Sequence, residues 1–151
     1  GVDHDARRIK LGSAASHDLK NVKFMSGAWD AGFIQATASL QAVTLIDFLH
    51  YFSPSEQTQI LARAFDQLEP GGLVLFREVD PRPGLLSSWN RWYEKMATRM
   101  GFTQTQEKQL YFRRPEDWLE LAASLGFEAT AKRCSSPIFN DVLFVCERRA
   151  R

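Results

Sequence analysis

Cysteine is scarce: the 151 residues hold only Cys134 and Cys146. Their spacing fits no zinc-ligand pattern, and one potential pair is weak ground for an oxidising compartment, so reduced thiols in a cytoplasmic protein are the expectation and no metal is assigned. Long apolar runs are missing as well. Nothing approaches the ~20 residues that span a bilayer, and no stretch reads as a signal peptide. Charge of one sign is not in excess, since 19 Lys and Arg face 18 Asp and Glu for a net charge of +1. The basic residues are dispersed apart from Arg148, Arg149 and Arg151, so nucleic acid is not an expected partner. No internal repeat, low-complexity tract or domain linker is visible. What remains is ordinary globular composition, 44% hydrophobic and 25% charged, and a length that suits one domain over residues 1–151.

Along the chain, short apolar strands alternate with amphipathic helices. The opening "GVDHDARRI" reads as a strand tip at residues 1–3 running into a helix, with Asp5 near its start, where negative charge is favourable. Val22 to Ser26 suggests a short strand, and "LQAVTLID" from Leu40 to Asp47 a strand buried on both faces. The next helix is strongly marked. Ser53 suits the cap, Pro54 the first helical position and Glu56 the capping box, ahead of a stripe of Ile60, Leu61, Ala64, Phe65 and Leu68. Pro70-Gly71-Gly72 is expected to stop it, and Leu73 to Asp80 to form a second buried strand. After a loop with Pro81, Pro83 and Gly84, the spacing of Leu85, Leu86, Trp89, Trp92, Tyr93, Met96 and Met100 predicts an aromatic-rich helix. A further helix is expected over residues 115–125, with Trp118, Leu121, Ala122 and Leu125 inward and Gly126 as its stop. Two strands end the chain, Phe127 to Arg133 and Asp141 to Glu147. The loop between them, with Pro137 and Asn140, is too short for a parallel crossover, so they should pair antiparallel. The fold class is therefore α/β: a Rossmann-like, mostly parallel sheet with helices on both faces and a reversed last strand.

In open sheets of this kind ligands lie beyond the carboxyl ends of the strands. Those ends carry Asp3, then Gly27, Ala28, Trp29 and Asp30, then Asp47, Phe48, His50 and Tyr51, then Glu78 and Asp80. A carboxylate placed like Asp3 can accept hydrogen bonds from both hydroxyls of a ribose; it can equally cap the following helix. Asp80, with Pro81 after it, suits a loop cap.

Taken together, "GVDHDARRI", "VKFMSGAWD", "LIDFLHYFSPSEQTQILARAFDQLEPGGLVLFREVD", "RRPEDWLELAASLGFEATAKR" and "DVLFVCERR" resemble the class I S-adenosylmethionine-dependent methyltransferases. The block from Asp47 to Asp80 is the most specific part. The resemblance implies S-adenosylmethionine as cofactor, with Asp3 at its ribose, Ala28, Trp29 and Asp30 flanking the adenine, and Asp47 and Phe48 beneath its methionine part. His50 and Tyr51 would lie nearer the substrate, as the catalytic candidates. The family's glycine-rich first loop and its strand are absent from this sequence, which implies a truncated domain whose sheet is completed by a preceding segment or by a homo-oligomer.

Methyl transfer is an in-line displacement that depends chiefly on positioning. His50 could serve as a general base for a hydroxyl or amine acceptor, although a histidine at a loop start is commonly bonded to backbone. Glu78 and Asp80 could orient a polar acceptor group or equally cap the following loop, while Trp89, Trp92 and Tyr93 read as core or as an aromatic wall for a lipid-like or aromatic small molecule. Two other readings stay open: a methyltransferase-like interaction module without cofactor, and a nicotinamide-dependent oxidoreductase.

Overall fold

The computed structural model describes residues 1–30, 39–82, 110–134 and 140–149. The expected aromatic helix, with Trp89, Trp92 and Tyr93, lies outside the described residues, as does Pro137. The chain divides into two compact units, Gly1–Ala38 and Ser39–Arg151.

In the first unit, β1 (Val2–Asp3) and β2 (Met25–Ser26) pair in parallel around α1 (Ala6–Ala15). The strand expected over Val22 to Ser26 is shorter than its composition suggests, because the pairing partner β1 is itself only two residues long. Asp5 caps α1: its carboxylate accepts the Arg7 N–H at 2.9 Å and the Arg7 guanidinium at 3.1 Å. The Arg7 side-chain and backbone hydrogen bonds hold the Asp5 carboxyl below the usual range.

The second unit contains β3 (Leu40–Ile46), a 3₁₀ turn (Leu49–Tyr51), α2 (Pro54–Gln67), β4 (Leu68–Val79), α3 (Pro115–Ser124), β5 (Phe127–Arg133) and β6 (Asp141–Arg148). Its sheet has the order β3-β4-β6-β5, with β3 and β4 parallel and β6 antiparallel to both neighbours. The expected antiparallel end pair is present, and the reversed strand is inserted between β4 and β5. Ser53 and Glu56 form the full capping box at the head of α2. That helix ends at Gln67, before Pro70, because Leu68 already turns extended and joins the sheet opposite Leu40. The strand thus begins at Leu68, five residues early, and absorbs 69–72 as a bulge before Leu73 meets Ala42. Gly72 is needed there, since a Cβ would lie 2.9 Å from the Glu69 carbonyl oxygen.

Residues opposite one another in the register share a face of the sheet. Val74, Phe76 and Glu78 of β4 therefore line up with Cys146, Phe144 and Val142 of β6. On that face, Trp118 of α3 packs edge-on to Phe76 at 5.2 Å, and Phe76 stacks on Phe144 at 4.5 Å. Phe65 of α2 meets Phe127 edge-on at 4.9 Å, and the Arg148 guanidinium lies over the same Phe65 ring while donating to the Phe65 carbonyl at the end of α2. Both described helices of this unit thus cover one face, with Ile60, Leu61, Ala64, Val74, Phe76, Trp118, Phe144 and Cys146 essentially inaccessible. The other face, with Leu73, Leu75, Leu143 and Val145, is half-buried. β3 was expected to be buried on both sides, yet Ala42, Thr44 and Ile46 are exposed, because their register with Leu73, Leu75 and Arg77 places them on the face that neither described helix of this unit covers.

Both cysteines are free, but only Cys146 is buried; Cys134, just past β5, is exposed. Burial pushes the Cys146 thiol up to about 12. A thiol reagent at neutral pH is expected to label Cys134 in the native protein at once and Cys146 only on unfolding; rapid labelling of both would contradict this packing. Among the described residues, no helix is long and apolar enough to cross a membrane.

Candidate functional site

Within each unit, parallel neighbouring strands bring the expected residues to one edge. In the first, the Gly27 N–H donates to the Asp3 carbonyl at 3.1 Å, so Asp3 and residues 27–30 sit side by side beyond β1 and β2. Ala28 is exposed; Trp29 and Asp30 are half-buried. One Asp3 carboxylate oxygen accepts the Asp5 N–H at 2.8 Å, and the other lies 3.7 Å from Arg8. The capping role considered for Asp3 falls to Asp5. Asp3 keeps 29% of its side chain exposed and, with Gly1, Val2, Arg8, Ile9 and Phe24, lines a cavity of ≈ 220 Å³.

In the second unit, Asp47 ends β3 with φ at +51°, the left-handed region that aspartate tolerates better than most residues. Its carboxylate pairs with both the Nε and an NH2 group of Arg77 on β4. Phe48, His50 and Tyr51 follow in the 3₁₀ turn, and their organiser is Glu78. Its Oε1 accepts the backbone N–H of Phe48 at 3.2 Å and of Leu49 at 2.7 Å, while Oε2 meets His50 Nδ1 at 2.7 Å. Glu78 is only 2% exposed and His50 1%. Glu78 was weighed as orienting a polar acceptor group or as capping the loop; strand alternation places it on the helix-covered face with Val74 and Phe76, where its carboxylate serves the turn. With the carboxylate accepting, Nδ1 carries a proton, and in the neutral imidazole the lone pair is then on Nε2. His50 was weighed against a backbone-bonded loop histidine; its Nδ1 is bonded to a side chain. Tyr51 lies 4.2 Å and Phe112 5.3 Å from the imidazole, ring to ring.

Asp80 caps the following loop as expected, accepting the Arg82 N–H at 3.1 Å. Burial opposes its ionisation, but the Arg82 side-chain and backbone hydrogen bonds, with Arg133 beyond, outweigh it and hold the carboxyl below the usual range. Asp141 moves the other way: burial raises it, against the pull of Arg77. Among the described residues no group of three or more His, Cys, Asp or Glu could hold a metal ion.

Sequence reasoning missed Arg77 and Gln57. Gln57 did carry a signal, because it stands three and four residues before Ile60 and Leu61 and so shares their apolar stripe.

No family model matches the sequence, and no curated protein matches it either. Solved structures do match. An O-methyltransferase family protein from Burkholderia thailandensis superposes with a TM-score of 0.69 at 17% identity, covering 95% of this chain and 41% of its own. The CurJ carbon methyltransferase gives 0.71 at 14% identity, with 99% and 41% covered. Magnesium protoporphyrin IX methyltransferase from Synechocystis PCC 6803, with bound SAH, gives 0.66 at 11%, with 98% and 63% covered. The chain has the class I methyltransferase fold. It spans about two fifths to three fifths of the length of these methyltransferases. The reversed strand expected from the short final loop is β6, which lies between β4 and β5.

Proposed function

We propose that this chain is part of an S-adenosylmethionine-dependent methyltransferase acting on a small-molecule acceptor. The observation that carries the reading is Asp3, a partly exposed carboxylate at a strand's carboxyl end, lining a cavity within a methyltransferase fold. The residues present fit a ribose. One Asp3 oxygen is committed to the Asp5 N–H, but a carboxylate offers about four acceptor positions, enough for two further hydroxyls. Ala28, Trp29 and Asp30, beside Asp3, are assigned to the adenine side, and Asp47 and Phe48 to the methionine side.

Bound S-adenosylmethionine supplies an electrophilic methyl group on a sulfonium. This chain's residues bind, orient and handle the proton. His50, whose Nδ1 is engaged by Glu78, is assigned as the base that takes the acceptor's proton, and Tyr51 is assigned beside it on the acceptor side. The Glu78 carboxylate would also orient the imidazole and stabilise the positive charge an imidazolium carries, as a carboxylate does for a base histidine elsewhere. Trp89, Trp92 and Tyr93 are assigned to an apolar acceptor wall.

Titration calorimetry of the natural full-length protein with S-adenosylhomocysteine tests the reading. Binding is expected, and Asp3→Ala should weaken it by about 1.5–3 kcal/mol, or about 10- to 100-fold, the scale of hydrogen bonds to a charged group. Unchanged affinity in the variant would remove Asp3 from the site. Absence of binding to the unaltered protein would favour a cofactor-less module, and a fluorescence change with a nicotinamide dinucleotide would favour an oxidoreductase.

A further inference from the structure

We propose that Gln57 is a positioning residue for His50, acting through the segment 110–113. The inference rests on His50 belonging to the active site as read above. Its physical basis is independent of that reading.

Gln57 lies near the head of α2, on the helix's apolar stripe, and is 0% exposed. A buried amide is costly unless its groups are all paired, and here they are. Nε2 donates to the Leu49 carbonyl at 3.1 Å and the Tyr111 carbonyl at 3.0 Å; Oε1 accepts from Arg113 Nε at 2.6 Å. Each partner bears on the imidazole. Leu49 is the residue before His50 in the turn. The Tyr111 N–H donates to the His50 carbonyl at 2.8 Å, so Tyr111 grips the histidine peptide with one group and Gln57 with the other. Phe112, between Tyr111 and Arg113, stacks on the imidazole with an interplanar angle of 18°. Arg113 is in turn fixed by the Pro54 carbonyl at 2.9 Å and by the Trp118 ring 5.4 Å away.

Residues 110–113 belong to no helix or strand, so no backbone ladder holds them. Their place over His50 is set by the Tyr111 N–H bond to the His50 carbonyl together with these side-chain bonds, and Gln57 is the side chain that ties them to the turn. Glu78 fixes the imidazole edge and its proton; Gln57 fixes the partner of its face. A leucine at 57 would match the stripe but strand two carbonyls and a guanidinium nitrogen, which accounts for an amide at this position.

The test uses the natural full-length protein with ¹⁵N- and ¹³C-labelled histidine, read by NMR. In the unaltered protein, Overhauser contacts between the Phe112 ring and the His50 imidazole are expected, with slow exchange of the Tyr111 amide proton. Absence of both overturns the proposal without any variant. Gln57→Glu keeps an acceptor for Arg113 and removes both donated bonds. It is expected to abolish the Phe112 contacts and move the His50 ring-proton shifts, with S-adenosylhomocysteine affinity retained within about threefold, less than a direct hydrogen bond is worth. A lower melting temperature with unaltered His50 signals would make Gln57 a structural residue only and overturn the proposal. If the variant fails to fold, the Overhauser and exchange results on the unaltered protein decide alone. Failure of the unaltered protein to bind S-adenosylhomocysteine would sink the functional reading while leaving the positioning result legible.

Discussion

Replacing Glu78 with alanine is expected to cost about 3–5 kcal/mol of folding stability, the scale of breaking a buried charged contact. The side chain is 2% exposed and accepts from the Phe48 N–H, the Leu49 N–H and His50 Nδ1. Alanine would leave three buried donors facing a void, each worth about 1–3 kcal/mol when unsatisfied, although such terms do not simply add. Glu78→Gln should behave differently. Its one amide oxygen can still receive the two backbone N–H groups, but its NH₂ would then face His50 Nδ1, donor to donor, unless Nδ1 gives up its proton and accepts. The imidazole proton should move to Nε2. Urea unfolding measures the first effect and ¹⁵N shifts of the imidazole the second. A loss below about 1 kcal/mol for Glu78→Ala would show that the turn holds without its carboxylate, since that is no more than an ordinary hydrogen bond contributes.

The second large effect is expected at Trp118. It is 1% exposed and joins α3 to both Phe76 and Phe144 in the middle of the sheet face. Trp118→Ala should lose about 3–5 kcal/mol, from apolar contact forfeited and the cavity left behind. Trp118→Phe should lose much less. Phenylalanine can keep the edge-on contact with Phe76, and the indole N–H it deletes has no hydrogen-bond partner among the described residues. A shift of the urea midpoint with an unchanged slope would report stability alone; a changed slope would report altered compactness. Equal losses for the two variants would mean that the indole carries an interaction other than packing.

Much of this architecture was legible in the residues, because the signals that decide it are local. Ser53, Pro54 and Glu56 announced α2 through capping chemistry that needs no tertiary partner, and the structure shows every bond of it. Gly126, with φ at +96°, closes the α3 segment for the same reason. The antiparallel pairing of β5 and β6 followed from loop length. What escaped was set by partners distant in sequence. The early end of α2 depends on Leu68 finding Leu40 across the sheet. Asp47 looked like an open carboxylate because nothing near it in sequence reveals Arg77, thirty residues away. Glu78 was assigned by its place at a strand's carboxyl end. The alternation Val74, Phe76, Glu78 also places it on the helix side, and that second pattern describes its surroundings.

The insertion of β6 between β4 and β5 has a consequence for the order of assembly. Among the described residues, β5 pairs with no strand but β6, which follows it in the chain. On a ribosome, β5 therefore has no strand partner among the described residues until residues 141–148 have emerged. They then complete two seams at once, one of them to β4, more than sixty residues upstream. Closure of this sheet is a late, long-range event, the slow kind of pairing in folding. The eight-residue β6 acts as its keystone.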